Sequence, residues 1–471
     1  MTESGTPIRA RRRAPAARTL ALVSALAIAG GGPALQPLRA QEQVTTGLPI
    51  IRDTEIEQLL RDYATPILKA AGLAQQNVRV VILNDRSFNA FVMDGRHIFI
   101  NAGALFDAKT PNEVIGVFAH ETGHLAGGHL MKLREKLAEA QTQSIIAMLL
   151  GVGALVAGAR TGSADAGAAA LLGPQSMIQH SLLAYVRTQE DQADHAGVKF
   201  LTLTHQSPKG MVELFTRLSN EMLFNGRYVD PYLQTHPMPA DRVAALERLA
   251  KASPYWNEKD PPQLQLRHDL MRAKLSGFLE RADTVLRRYP LTDQSLPARY
   301  ARAISTYRHG DLRQAIAQID GLIQSEPNNP YFEELKGQAL LEGGRPAEAV
   351  GPLRRAAALS HQAPLISIML AQALIATNNA KNSAEAISLL SGALRSEPEA
   401  PGAYDQLAMA YGRTGDLAHA DLASAQAAFT RGDVKTARQL AERAKTRLPV
   451  GSPAWVRADD IVNVKPPKAQ N

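Results

Sequence analysis

The sequence predicts a mainly α protein in two parts. An α+β domain with a small sheet comes first, and an all-α solenoid of stacked helix pairs follows. Three observations carry this reading. At 471 residues the chain is too long for one ordinary core. Residues 41–255 mix β-branched runs with amphipathic helices, whereas residues 260–448 are nearly pure helix and repeat internally.

The N-terminus stands apart from both. Composition is that of a globular protein, with 45% hydrophobic and 21% charged residues and a formal net charge of +7. Residues 1–40 hold Arg9, Arg11, Arg12, Arg13, Arg18 and Arg39 against Glu3, so +5 of that charge sits there and +2 remains elsewhere. No nucleic-acid partner is inferred from such a balance. The arginine-rich start leads into "TLALVSALAIAG", too short to span a bilayer comfortably, and "LRA-QEQ" offers cleavage after Ala40. Residues 1–40 therefore read as a signal peptide, with an uncleaved anchor as the competing reading. A twin-arginine signal fits less well, because Ala-Pro-Ala follows Arg13. With no cysteine in the chain there are no disulfides and no lipid-modified cysteine, and any metal site must use His and carboxylates. The expected compartment is the periplasm.

In the first domain, "VRVVILND" (78–85) reads as a strand. "NAFVMDGRHIFINAG" (89–103) reads as a hairpin, with Asp94-Gly95 between two alternating stretches. Thr110, Pro111 and Glu113 make a capping box with proline at the first helical position. The helix they start is expected to run through 118–130 toward "MKLREKLAEA". "SIIAMLLGVGALVAGA" (144–159) falls short of a membrane span, and a Gly/Ala-rich stretch follows it. Residues 144–172 are either a buried or loosely packed helical hairpin, or a surface that covers the site or makes peripheral membrane contact. A further helix carries "LLAYVRTQEDQADHAGVKFL" (182–201).

The second part repeats. "YRHGDLRQAI" (307–316) is echoed by "LEGGRPAEAV" (341–350), "YGRTGDLAHA" (411–420) and "FTRGDVKTAR" (429–438). Gly310 to Gly344 is one period of the tetratricopeptide type, about 34 residues. Prolines in "SEPNNP" and "SEPEAP" end helix pairs, and Ala315, Ala349, Ala386, Ala420 and Ala437 permit close helix approach. Such stacks bind peptides or partner proteins in a groove; the alternative is an ordinary helical bundle. Residues 449–471 read as a flexible tail.

Chemistry concentrates in "FAHETGHLAGGHL" (118–130). On a helix His120 and His124 stand about 40° apart and one turn along, so both imidazoles reach one ion. Glu121 lies beside them, where it can take a proton from an attacking water. His129 falls about 180° from His120 on a continuous helix, so it reads as a structural or hydrogen-bonding residue. The metzincin pattern also fails, since Leu130 stands where its last histidine belongs. The third ligand is then expected to be a carboxylate from another helix. In "EDQAD" Glu190 and Asp194 share a face, suited to one ligand and one hydrogen-bond acceptor for a ligand imidazole. A solvated acidic helix face is the competing reading.

"HETGH" with "EDQAD", preceded by "NAFVMDGRHIFINAGAL" and followed by "THPMPADR", resembles the peptidase family that contains HtpX and the CAAX prenyl proteases. The resemblance implies a gluzincin-type metalloprotease domain with one Zn2+ per chain. It assigns His120, His124 and Glu190 as metal ligands, Glu121 as general base and Asp194 as the carboxylate behind the ligands. It places His236 and Arg242 at the oxyanion, or His236 on the zinc in a latent form; a Pro-rich turn with a surface histidine is the alternative. Members commonly have Glu where this chain has Gln192, a position rotated away from the metal. Asn89, Ala90 and Phe91 correspond to an edge strand on which substrate polypeptide is laid, although a plain core strand fits the sequence nearly as well. The implied activity is an exported endopeptidase for misfolded or stalled envelope proteins, with repeats that meet the outer-membrane protein assembly machinery. A chaperone or scaffold with a latent zinc site is the competing class. An integral-membrane protease is disfavoured, for no mature segment is long and apolar enough.

Overall fold

Alternating apolar residues build a five-stranded sheet. Its strands are β1 (Glu42–Thr45), β2 (Leu48–Ile51), β3 (Arg79–Leu83), β4 (Ala90–Val92) and β5 (His97–Asn101), in the order β1-β2-β3-β5-β4. The computed structural model describes residues 42–45, 48–93, 95–139, 164–224, 232 and 236–464. For 42–45, Leu48, 164–183, 222–224 and Ala380 it describes the backbone alone. The segment expected to be a signal peptide (1–40), the apolar run 144–159 and residues 465–471 lie outside the described residues.

β3 and β5 pair in parallel, and β4 returns antiparallel along β5 as the expected hairpin, with Phe91 opposite Phe99. Their rings stack at 5.2 Å, the cross-strand pairing that fixes register. This leaves β4 at one edge of the sheet. Helix α1 (Thr54–Ala70) starts at Asp53, whose carboxylate accepts from Ile56 N at 3.0 Å. Ile56, Leu59, Leu60, Tyr63 and Ile67 form its buried stripe. Each contributes about 1.5–3 kcal/mol by leaving water.

After the short α2 (Ala102–Asp107) comes α3 (Pro111–Gly127), the central helix. Every residue from Pro111 to Gly123 is buried, which places α3 in the middle of the core rather than on a face of it. Thr110 caps it through Glu113 N at 3.3 Å. The Glu113 carboxylate accepts from Lys109 N at 2.8 Å, one residue further back than a standard capping box, and also holds Arg217.

The expected run through residue 130 is corrected here. Gly128 takes φ +62 and its N–H caps His124 and Leu125, so α3 stops and a separate helix, α4 (residues 129–139), begins. Left-handed backbone suits glycine, and the sequence "AGGH" supplied it. Next come α5 (Ala164–Leu203), α6 (Lys209–Phe224) and α7 (Ala240–Lys251). Helices α5 and α6 both pack on α3.

From Pro262 onward the chain is helical. α8 (Pro262–Leu279) and α9 (Ala282–Arg288) lead into α10 (Leu296–His309), α11 (Leu312–Ser325), α12 (Pro330–Glu342), α13 (Pro346–Leu359), α14 (Pro364–Ala376) and α15 (Ala380–Ser396). α16 (Pro401–Arg413), α17 (Leu417–Thr430), α18 (Val434–Lys445) and α19 (Pro453–Asn463) complete the series. The expected flexible tail at 449–471 is corrected by α19, whose Ala454, Ala458 and Ile461 are buried in one core with Ala437 and Ala441 of α18. From α10 on, each helix packs on the next, as in a solenoid. The Gly-Asp turns work as caps: Asp311, Asp416 and Asp433 accept from Gln314 N, His419 N and Thr436 N. Ala315, Ala349, Ala386 and Ala437 are fully buried, and Ala420 is half-buried. Among the described residues no helix is long and apolar enough to cross a membrane.

One helix belongs to two cores. Met271 and Leu275 of α8 sit in the core around α1 and α3, while Leu270 and Ala273 sit in the core of α10 to α12. Buried charge marks the same junction. Lys274 Nζ lies 2.7 Å from Asp53, 3.2 Å from Glu55 and 3.8 Å from Glu334 of α12. Tyr300 donates to Glu55 at 2.9 Å, and Arg52 pairs with Glu397 at 2.8 Å.

Candidate metal centre

Close approach of two helices assembles the site. A Cβ on Gly123 would stand 2.8 Å from the Ala193 carbonyl oxygen, so this glycine lets α5 lie tight against α3. That contact carries Glu190 and Asp194 onto the face of α3 that bears His120 and His124. Among the described residues, His120, His124, Glu190 and His236 each offer one donor atom, all within 4.8 Å of one another.

The separations suit a cation. His120 Nε2 and His124 Nε2 are 3.1 Å apart, and Glu190 oxygens lie 3.5 and 3.3 Å from them. Tetrahedral zinc with bonds near 2.0–2.1 Å places its donors roughly 3.3 Å from one another. Two imidazole lone pairs that face each other at this distance repel unless a proton or a metal lies between them. Glu121 is fully buried with Oε1 unpartnered at hydrogen-bond distance, a second sign that the site is built for more than protein atoms. Donor set and spacing fit a divalent metal.

His236 closes the fourth side, with Nδ1 3.0 and 3.1 Å from the Glu190 oxygens and Nε2 3.7 Å from Glu121 Oε1. Arg242 grips Asp194 through Nε (2.7 Å) and Nη2 (2.8 Å), and its Nη1 reaches Glu190 (2.9 Å) and the Pro237 carbonyl (2.9 Å). Three of its N–H groups thus donate to the Asp194 carboxylate and the Pro237 carbonyl, and Nη1 also pairs with the Glu190 charge. Asp194 Oδ1 lies 3.0 Å from His120 Nδ1.

Charges follow from these contacts. Burial opposes a proton on His120, yet Asp194 and Glu190 outweigh it and push its pKa up to about 9. Burial likewise opposes charge on Glu190 and Asp194. His236 and His120 outweigh it for Glu190, as Arg242 and His120 do for Asp194, so both carboxyls are held below their usual range. Glu121 goes the other way: burial raises it, and His236 and His120 offset only part of that. Burial and the neighbouring His120 hold His124 well below the usual imidazole range.

Other expected site residues sit nearby. Ala90 and Phe91 lie in β4, Asn89 just before it, and β4 packs on α3. His129 folds back to put Nδ1 3.0 Å from His124 Nδ1. Gln192 is exposed. Sequence reasoning missed two aromatic walls: Phe215 stands edge-on to His120 at 5.4 Å, and Tyr232 lies 4.6 Å from His236. The second was within reach, since Tyr232 precedes His236 by one helical turn and accepts from its N–H at 2.7 Å.

This centre and fold define a metalloendopeptidase. Residues 51–250 match the model of Peptidase family M48. A beta-barrel assembly-enhancing protease of Yersinia pestis is 24% identical over 430 residues, 88% of this chain and 85% of that protein. The protein of the same name from Escherichia coli K12 is 22% identical, over 88% of this chain and 84% of its own length. The metalloprotease LoiP of Escherichia coli K12 is 29% identical over 181 residues, 38% of this chain and 66% of that protein.

Proposed function

We propose that this chain is an exported zinc endopeptidase that hydrolyses peptide bonds of misfolded or stalled envelope proteins. The observation that carries the reading is the four-donor cluster with the buried Glu121 carboxylate beside it. In it His120, His124 and Glu190 hold one zinc per chain. Bound there, zinc supplies the Lewis acidity that activates water toward a peptide carbonyl. Glu121 takes the proton from the attacking water and returns it to the leaving amine. Asp194 accepts from His120 Nδ1 and so keeps Nε2 free as a ligand. Arg242 fixes Asp194 and Glu190, and His236 is the donor assigned to the oxyanion, with Arg242 behind it.

Substrate enters as an extended strand on β4. Asn101 N donates to the Asn89 carbonyl at 2.9 Å, so by antiparallel alternation Ala90 and Val92 direct their backbone groups away from β5, toward that substrate. The helix pairs, read as tetratricopeptide repeats, bind substrates or assembly partners. The names of the two long relatives support β-barrel assembly as the setting, and the arginine-rich, apolar start of the sequence supports the periplasm as the place.

A second reading draws on His236. A histidine already in the donor cluster favours a latent centre in a chaperone or scaffold. Comparing wild type with Glu121→Gln for degradation of a misfolded outer-membrane protein, with zinc measured in both, separates the two. Degradation lost in the variant while zinc stays is the expected result; equal degradation sinks the protease reading.

A further inference from the structure

We infer that His129 is a positioning residue for the metal centre: it accepts the Nδ1 proton of His124 and thereby presents the His124 Nε2 lone pair to the ion. The inference rests on the metal-centre reading above and adds a residue to it. Nε2 is the atom His124 turns to the cluster, 3.1 Å from His120 Nε2 and 3.3 Å from Glu190 Oε1. A neutral imidazole that ligates through Nε2 carries its proton on Nδ1, and that N–H needs an acceptor. The structure supplies one in His129 Nδ1 at 3.0 Å, with the two rings nearly perpendicular.

The chain is shaped to make this contact. Gly128 at φ +62 reverses the backbone directly after α3 and sends residue 129 back over the last turn. A Cβ on Gly127 would lie 2.2 Å from His129 Nε2, so a side chain there would push the ring off. His129 is itself tied to α5, the helix of Glu190. Gln189 Nε2 donates to its carbonyl at 3.4 Å. The two ligand imidazoles thus have different neighbours at Nδ1: an Asp194 carboxylate oxygen 3.0 Å away for His120, and a second imidazole for His124.

The test uses the full chain, stripped of metal and reloaded with zinc or cobalt(II). Zinc affinity is read by competition with a chromogenic chelator, ligand geometry by the cobalt absorption spectrum, and folding by circular dichroism. His129→Leu removes the acceptor, His129→Asn keeps a polar atom near the place of Nδ1, and Gly127→Ala keeps the imidazole but drives it away. His129→Leu and Gly127→Ala are expected to bind zinc about 10–100-fold more weakly with an altered cobalt spectrum. His129→Leu should also lower kcat at unchanged KM, and His129→Asn should recover most of the affinity. Wild-type affinity and spectrum in His129→Leu overturn the inference. Equal losses in His129→Leu and His129→Asn overturn it too, because they point to packing. A wild-type chain that binds no zinc overturns the metal-centre reading itself, and this one with it.

Discussion

Glu334 gives the most quantitative handle on how the two parts of the chain are joined. It is buried at the junction with Asp53, Glu55 and Lys274, three carboxyls around one ammonium. Burial raises its pKa from 4.5 to about 7, with Lys274 offsetting part of the rise. The folded value lies above the unfolded one, so the stability Glu334 contributes is complete below pH 4.5 and is lost as the pH rises through 7. A shift of that size is worth roughly 3 kcal/mol. Glu334→Gln keeps the acceptor that Thr54 meets at 3.4 Å but can never ionise. Urea unfolding of wild type and variant, followed by Trp256 and Trp455 fluorescence at each pH, isolates this one group. Metal-site protonation is common to both proteins and cancels in the difference. Relative to wild type, Glu334→Gln should gain about 3 kcal/mol between pH 4.5 and pH 8. A pH-independent difference, or a variant that loses ground at pH 8, would refute the reasoning.

Further outcomes follow from the centre and the sheet edge. Glu190→Ala should lose zinc, measured by elemental analysis of the purified chain, while Glu121→Gln should keep it and lose about 10²–10⁴-fold in kcat. Chelation should abolish peptide hydrolysis and added zinc restore it; hydrolysis that persists in the stripped chain would contradict the assignment. Val92→Pro removes an outward N–H from β4 without touching the donor cluster. It should lower kcat/KM for long extended peptides and leave zinc content unchanged, and a loss shared equally by very short peptides would argue against strand addition.

Local features were legible in the sequence and tertiary ones were not. The Thr110–Pro111–Glu113 start, the β4–β5 hairpin and the Asp caps of the helix pairs depend on neighbours within a few residues. "HETGH" and "EDQAD" could be joined because each is a complete helical signature with a chemistry the other lacks. His129 exposes the limit. Its phase relative to His120 holds only on an unbroken helix, yet "GG" at 127–128 ends α3 and rotates everything after it. Arg242 was placed near the centre by its motif, but its engagement with Asp194 and Glu190 depends on the docking of α7 against α5. Lys274 carried no sequence signal, since its carboxylate partners come from distant parts of the chain.

The double allegiance of α8 bears on how this protein can be dissected. A fragment ended at the change of character near residue 260 would retain every donor of the centre. It would also strip Met271 and Leu275 from the core beneath them and abandon Asp53 and Glu55 without their ammonium. The natural cut falls after Leu279 instead. Even there Leu270 and Ala273 would be left facing water, so neither half is a free-standing module: the repeated helix pairs and the helices that carry the donor cluster stand on the same beam.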